Sequence, residues 1–120
     1  MEQTRGYKDL IVWQKAMALV PPVYQLVQKL PKHENYALSD QIRRAVISVP
    51  ANIAEGQARQ HKPEFAQHLA IARGSLAELD TLLLTAINLD YLSAADLEPI
   101  QAMLIEIRRL LQGLIQSLRD

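Results

Sequence analysis

Three residues of this chain have the types and spacing that can hold a metal ion. His61, Glu64 and His68 stand three and four apart, so on a helix they share one face. Imidazole and carboxylate are ordinary ligands of a divalent cation. The set lacks a fourth ligand, and no second helix carries the carboxylate-plus-His repeat that di-iron bundles use. His61 also falls before Pro63, a residue suited to the first turn of a helix, and so lies outside the expected element. Solvated side chains are the favoured reading, and neither a metal nor a cofactor is expected. Nucleophilic chemistry has less support. There is no cysteine, and the four glycines (Gly6, Gly56, Gly74, Gly113) are too dispersed for a phosphate loop. None of Ser39, Ser48, Ser75, Ser93 or Ser117 sits in a nucleophile elbow. No catalytic residue is assigned, and a non-enzymatic protein is expected.

A second set of polar residues has more to offer. Gln41, Arg44, Ser48, Asn52, Glu55 and Arg59 follow one another at helical spacing beside an apolar stripe. On one reading Arg43, Arg44, Arg59 and Lys62 form a strip that binds nucleic-acid phosphates. On the other, the polar residues are structural. Arg43 or Arg44 then pairs with Glu55, or with Glu78 across to the next helix, where Arg73 also stands. Ser48 and Asn52 would serve backbone groups freed by Pro50. Arg44 fits the structural reading better. Arg43, Arg59 and Lys62 have no obvious local acid and are the better phosphate candidates.

These residues must be positioned by helices. The first segment has apolar residues at Trp13, Ala16, Met17, Val20, Val23, Tyr24, Val27 and Leu30, with Asp9 as N-cap and Pro31 as stop. Its stripe runs through Pro21-Pro22, which predicts one kinked helix. Lys32–Leu38 reads as a connector. The second helix, capped by Ser39, carries Ile42, Val46, Val49 and Ile53, with a kink expected at Pro50. The third has Phe65, Leu69, Ala72, Leu76, Leu79, Leu83 and Ala86 at alternating four and three, the spacing of knobs-into-holes packing. The fourth follows a capping box at Ser93–Asp96 and carries Leu97, Ile100, Leu104, Ile107, Leu111, Leu114 and Leu118. No stretch alternates with period two. The prediction is an all-α, antiparallel up-and-down four-helix bundle, one domain over residues 1–120. Val12, Leu19, Ile71, Leu82, Leu84, Ile105 and Ile115 are aliphatic beyond what one seam needs, which favours an oligomer.

Composition agrees. The 120 residues are 49% hydrophobic and 22% charged, enough apolar content for a packed core. Lys+Arg and Asp+Glu number 13 each, so the chain is neither a uniformly basic nucleic-acid coat nor an acidic tail protein. The neutrality is uneven. Residues 1–62 carry nine basic and five acidic side chains, whereas residues 63–98 carry one and six. The start of the chain has no apolar leader, and long uncharged stretches such as 16–28, 45–54 and 81–89 fall short of the roughly 20 residues of a membrane span. A cytoplasmic protein without membrane contact is expected.

An ordered series of short motifs carries a family resemblance. It comprises Asp9-Leu10-Ile11-Val12-Trp13-Gln14-Lys15-Ala16, Gln41-Ile42-Arg43-Arg44-Ala45, Val49-Pro50-Ala51-Asn52-Ile53-Ala54-Glu55-Gly56, Glu64-Phe65 and Ile71-Ala72-Arg73-Gly74-Ser75-Leu76-Ala77-Glu78-Leu79. Together these resemble the bacterial four-helix-bundle proteins of intervening sequences in 23S ribosomal RNA genes, also called the S23 ribosomal-protein family. That family is related to the accessory variability protein of diversity-generating retroelements, a pentameric barrel held to bind nucleic acid and the reverse transcriptase. The resemblance implies a cyclic homopentamer with a non-enzymatic role, binding RNA or DNA. The alternative is an interaction scaffold, an accessory subunit to a nucleic-acid enzyme. Ala37, Ala58 and Asp90 stand where the family tends to have glycine, and Ala51 where it has serine. The glycine replacements imply connectors that need no positive φ, or that are reshaped.

Overall fold

Aliphatic residues recurring every three or four positions give each long segment one oily face, and four such faces close on one another. In the computed structural model, which describes residues 6–119, they form α1 (Ile11–Val27), α2 (Leu38–Ala58), α3 (Lys62–Asn88) and α4 (Ala94–Arg119). Short 3-10 turns over Gly6–Asp9 and Lys32–Glu34 precede α1 and α2. Each helix packs against the next, and α4 returns to α1, while the diagonal pairs α1/α3 and α2/α4 make no close approach. The result is an antiparallel up-and-down bundle, 51 Å long and 22 by 21 Å across, with no strand among the described residues.

The α3 seam is buried from Leu69 to Ala86 as its spacing predicts, with Phe65 half-buried. Helix α4 keeps the predicted seam to Leu111 and then steps to Ile115, leaving Leu114 and Leu118 half-buried. A 3.6-residue helix drifts off a seven-residue repeat, and the four-residue step absorbs the drift. In and just after α1, the expected Ala16, Val23, Val27 and Leu30 are buried and Trp13 and Val20 half-buried, but the face is broader than expected. Val12, Ala16, Leu19, Val23 and Leu26 form the core line, while Met17 and Tyr24 are exposed. Both sets have helical spacing, so only the placement of α2 and α4 decides which is buried. The surplus of aliphatics therefore shrinks, because Val12, Leu19 and Ile115 belong to the core. Ile71, Leu84 and Ile105 remain exposed, and Leu82 is half-buried.

The prolines interrupt no helix. Pro21 and Pro22 remove the bonds to the Met17 and Ala18 carbonyls, which lie on an exposed stretch of α1 where water can satisfy them. The capping expectations fail at two starts. Asp9 closes the first 3-10 turn, and Leu10 is the N-cap of α1. Ser39 lies one residue inside α2, buried, its hydroxyl without a hydrogen-bond partner among the described residues; the Leu38 N–H instead donates to Glu34 Oε1 at 3.3 Å. The Ser93–Asp96 box is present in both directions. Ser93 N–H donates to Asp96 Oδ2 at 2.9 Å, and Asp96 N–H to Ser93 Oγ at 3.2 Å.

Ala37 and Ala58 need no positive φ, as expected, whereas Asp90 does, and the α2–α3 connector uses a left-handed residue at Gln60. Gln60 (φ 61°) ends α2 and Asp90 (φ 62°) ends α3. At α3 the Tyr91 N–H reaches the Ala86 carbonyl and the Asp90 N–H the Ile87 carbonyl, both at 2.9 Å, which is a Schellman closure. A β-carbon at such φ costs roughly 1–2 kcal/mol. Asp90→Gly should raise the unfolding free energy by about 1 kcal/mol, visible as a higher Tm; an unchanged or lower Tm contradicts the assignment.

One end of the bundle is tied by polar contacts. Tyr91 OH donates to Glu34 Oε2 at 2.9 Å, which raises the phenol's pKa. Lys29 Nζ lies 2.8 Å from Asp96 Oδ1, joining the end of α1 to the start of α4. The Lys29 ammonium first, then the Ser93 N–H, hold the Asp96 carboxyl down at about 2. A depressed carboxyl contributes stability that is present above its ordinary value of 3.8 and is lost as pH falls through about 2. Asp96→Asn should therefore be less stable than wild type at neutral pH, with the difference closing across that acid window. Parallel denaturation profiles at neutral and acid pH count against the pair.

Candidate nucleic-acid interface

The polar face of α2 divides into two parts with different work. Its inner part meets α3. Ser48 Oγ is 2.8 Å from Ser75 Oγ. Asn52 Nδ2 donates to the Ser48 carbonyl at 2.9 Å and to Ser48 Oγ at 3.1 Å. The Asn52 Oδ1 then accepts from His68 Nδ1 at 3.2 Å, so that ring nitrogen carries a proton. Ser75 and His68 lie two turns apart on α3, and the ladder sets the register of α2 against it. Pro50 frees the Val46 carbonyl rather than that of Ser48, so Asn52 serves a different group from the one expected. One turn further on, Gly56 lets the helices touch. A Cβ there would stand 2.6 Å from His68 Cβ and 3.2 Å from Phe65 Cδ1.

The outer part holds the cations. Arg44 Nε pairs with Asp40 at 2.9 Å, one turn back on its own helix, and not with Glu55 or Glu78. Arg43 Nη2 donates to the Asn35 carbonyl at 2.9 Å. Arg59 does have local acids, Glu55 at 3.2 Å and Glu64 at 3.8 Å. Lys62, Arg73 and Glu78 make no hydrogen bond or ion pair among the described residues; Lys62 and Glu78 are exposed and Arg73 is half-buried. Of the expected polar network, Ser48 and Asn52 come together, with Ser75 and His68 as unforeseen partners. Glu55 faces outward to Arg59, and Arg73 and Glu78 stand apart. Neither Ser75 nor His68 was recognisable from its own segment, since each meets α2 only through the turn at 59–61.

The four expected phosphate contacts are not contiguous. Arg43 and Arg59 are sixteen residues apart on one helix, which is about 24 Å. Arg43 and Arg44 lie toward one end of the bundle, Arg59 and Lys62 at the other. The remaining charges sort the same way. The half that ends in the α2–α3 turn holds Lys8, Arg59, Lys62, Arg73, Arg108, Arg109 and Arg119 against Asp9, Glu55 and Glu64. The opposite half holds Lys29, Lys32, Arg43 and Arg44 against Glu34, Asp40, Glu78, Asp80, Asp90, Asp96 and Glu98. The Lys15–Glu106 pair, 3.3 Å apart, sits near the boundary and cancels. The described chain is thus a rod with one basic and one acidic end. His61, Glu64 and His68 do not converge, and no cluster of metal-ligating residues exists among the described residues.

This geometry can be set beside known proteins. The family model of the 23S rRNA-intervening sequence proteins matches residues 8–113. The chain belongs to that family. A crystal structure of an S23 ribosomal-protein-family member of unknown function from Bacteroides thetaiotaomicron has the same fold. It superposes with a TM-score of 0.80 at 27% identity, over 88% of this chain and 96% of that one. No curated protein matches the chain. Neither family description names a reaction, and no helix among the described residues is long and apolar enough to cross a membrane.

The close approach at Gly56 has a sharp consequence for this intervening-sequence protein. The atom it faces is a Cβ, which moves only with its helix, so Gly56→Ala should cost about 1–3 kcal/mol of stability. Gly74 and Gly113 also lie inside helices but have nothing within 4 Å of an added Cβ. There the same substitution should add up to about 1 kcal/mol. Chemical denaturation of the three variants checks the signs, and a stabilising Gly56→Ala would refute the contact.

Proposed function

We propose that this protein is a non-enzymatic nucleic-acid-binding module acting as a cyclic homopentamer, with RNA or DNA meeting the end where α2 turns into α3. The separation of charge along the bundle carries the reading. A polyanion is attracted to the basic end and repelled from the acidic one, although the whole chain is neutral. The family's descriptive name, which refers to 23S ribosomal RNA, accords with an RNA ligand. Within the expected strip, Arg59 and Lys62 stand at the favourable end. Arg43 and Arg44 stand among acids, which argues for a structural part.

Two exposed apolar faces support the ring. Tyr24 and Ile47 line a recess between α1 and α2, and Ile105 lines one between α3 and α4. In the cyclic helix order these faces are opposite, which suits a head-to-tail contact that closes into a ring. Each copy then repeats the basic end, and weak phosphate contacts gain avidity. The same exposed side chains favour a second reading, a cytoplasmic scaffold for a nucleic-acid enzyme, with the ring or its partner covering them.

Light scattering and a salt titration of binding to structured RNA and duplex DNA test both parts. A mass several times 13.5 kDa is expected. The log of the affinity should fall with the log of salt at about 0.9 per neutralised phosphate on duplex. A monomer refutes the ring, and absence of binding at low salt refutes the nucleic-acid role in favour of the scaffold.

A further inference from the structure

The start of α3 and the end of α4 meet at the basic end, and between them lies a surface recess of about 430 Å³. Its floor is apolar, made by Pro63, Ala66, Ala70 and Leu118, and its polar side chains are Lys62, Gln67 and Arg119. No carboxylate among the described residues lines it. Neither Lys62 nor Arg119 has an ion-pair partner among the described residues, whereas Lys15, Lys29, Arg44 and Arg59 all do. Two cationic side chains are thus drawn to one concavity by the antiparallel packing, and their repulsion goes uncompensated within the described chain. The α3 terminus adds to the field. His61 provides no side-chain cap, so the first N–H groups leave the positive end of the helix dipole at the recess.

We infer that this recess is a phosphodiester site, in which Lys62 and Arg119 hold backbone phosphate of an RNA or DNA strand and the apolar floor lies under the adjoining sugar. The inference rests on the nucleic-acid reading and places its strongest contact. Arg119 enters through the fold alone, since 57 positions separate it from Lys62. A guanidinium takes two phosphate oxygens in its fork, while the ammonium acts as a point charge beside it. Gln67 can donate its amide to the same group. Volume and lining suit one nucleotide unit, at the small end of ligand pockets.

The test is fluorescence anisotropy of labelled RNA and duplex DNA with wild type, Lys62→Ala, Arg119→Ala, the double variant, and Lys32→Ala at the opposite end as control. Affinity at low salt should fall about tenfold for each cation removed. The double variant's salt slope on duplex should flatten by about 1.8. Lys32→Ala should bind as wild type, and all variants should keep the wild-type circular-dichroism melting curve. Wild-type binding that the double variant retains at full strength and slope overturns the recess while leaving the nucleic-acid reading intact. Failure of wild type to bind either probe at low salt overturns both.

Discussion

The rest of the bundle depends on the contact of α2 with α3 at Gly56. It is where two helices come close enough that a single methyl group would drive His68 and Phe65 away. The Ser48–Asn52 side of the same seam is polar, and its hydrogen bonds to Ser75 and His68 are directional where the aliphatic packing is not. Leucine and valine faces can slide past one another by a turn at modest cost. A glycine notch beside a ladder of paired hydroxyl, amide and imidazole cannot. The register so set determines which residues share each end, and hence where the charges fall.

Charge is the property most altered by folding. Along the chain the basic residues concentrate before residue 63 and the acidic ones after it. In space the division runs across the helices. The acids of the third segment lie mainly toward the C-terminal end of α3 and the start of α4, and the arginines of α4 lie toward its far end. Antiparallel packing brings the last of them, Arg119, beside Lys62. It also sets Arg43 and Arg44 among acids, so a strip that looks continuous in the sequence becomes two sites with opposite surroundings.

Several local features were legible because their physics is local. The α3 seam, the Ser93–Asp96 box and the start of α3 near Pro63 follow from spacing and capping within a few residues. The errors share a different cause. On α1 aliphatics cover a wide arc, and its partners bury Val12 and Leu19 while leaving Met17 and Tyr24 outside. Ser39 has the right chemistry for a cap, but the helix starts before it, at Leu38, whose N–H donates to Glu34. Asp90 adopts a conformation suited to glycine because the closure of α3 requires it, whatever residue stands there.

By itself, the sequence determined four helices, an all-α bundle, the absence of cysteine chemistry, and the family, since periodicity and motif order are properties of consecutive residues. Tertiary structure alone decided the pairing of Asn52 with His68, the end at which positive charge gathers, and the meeting of Lys62 with Arg119. Each of these joins residues from different turns or helices. Their proximity follows from how the helices pack, and spacing along the chain carries no record of it.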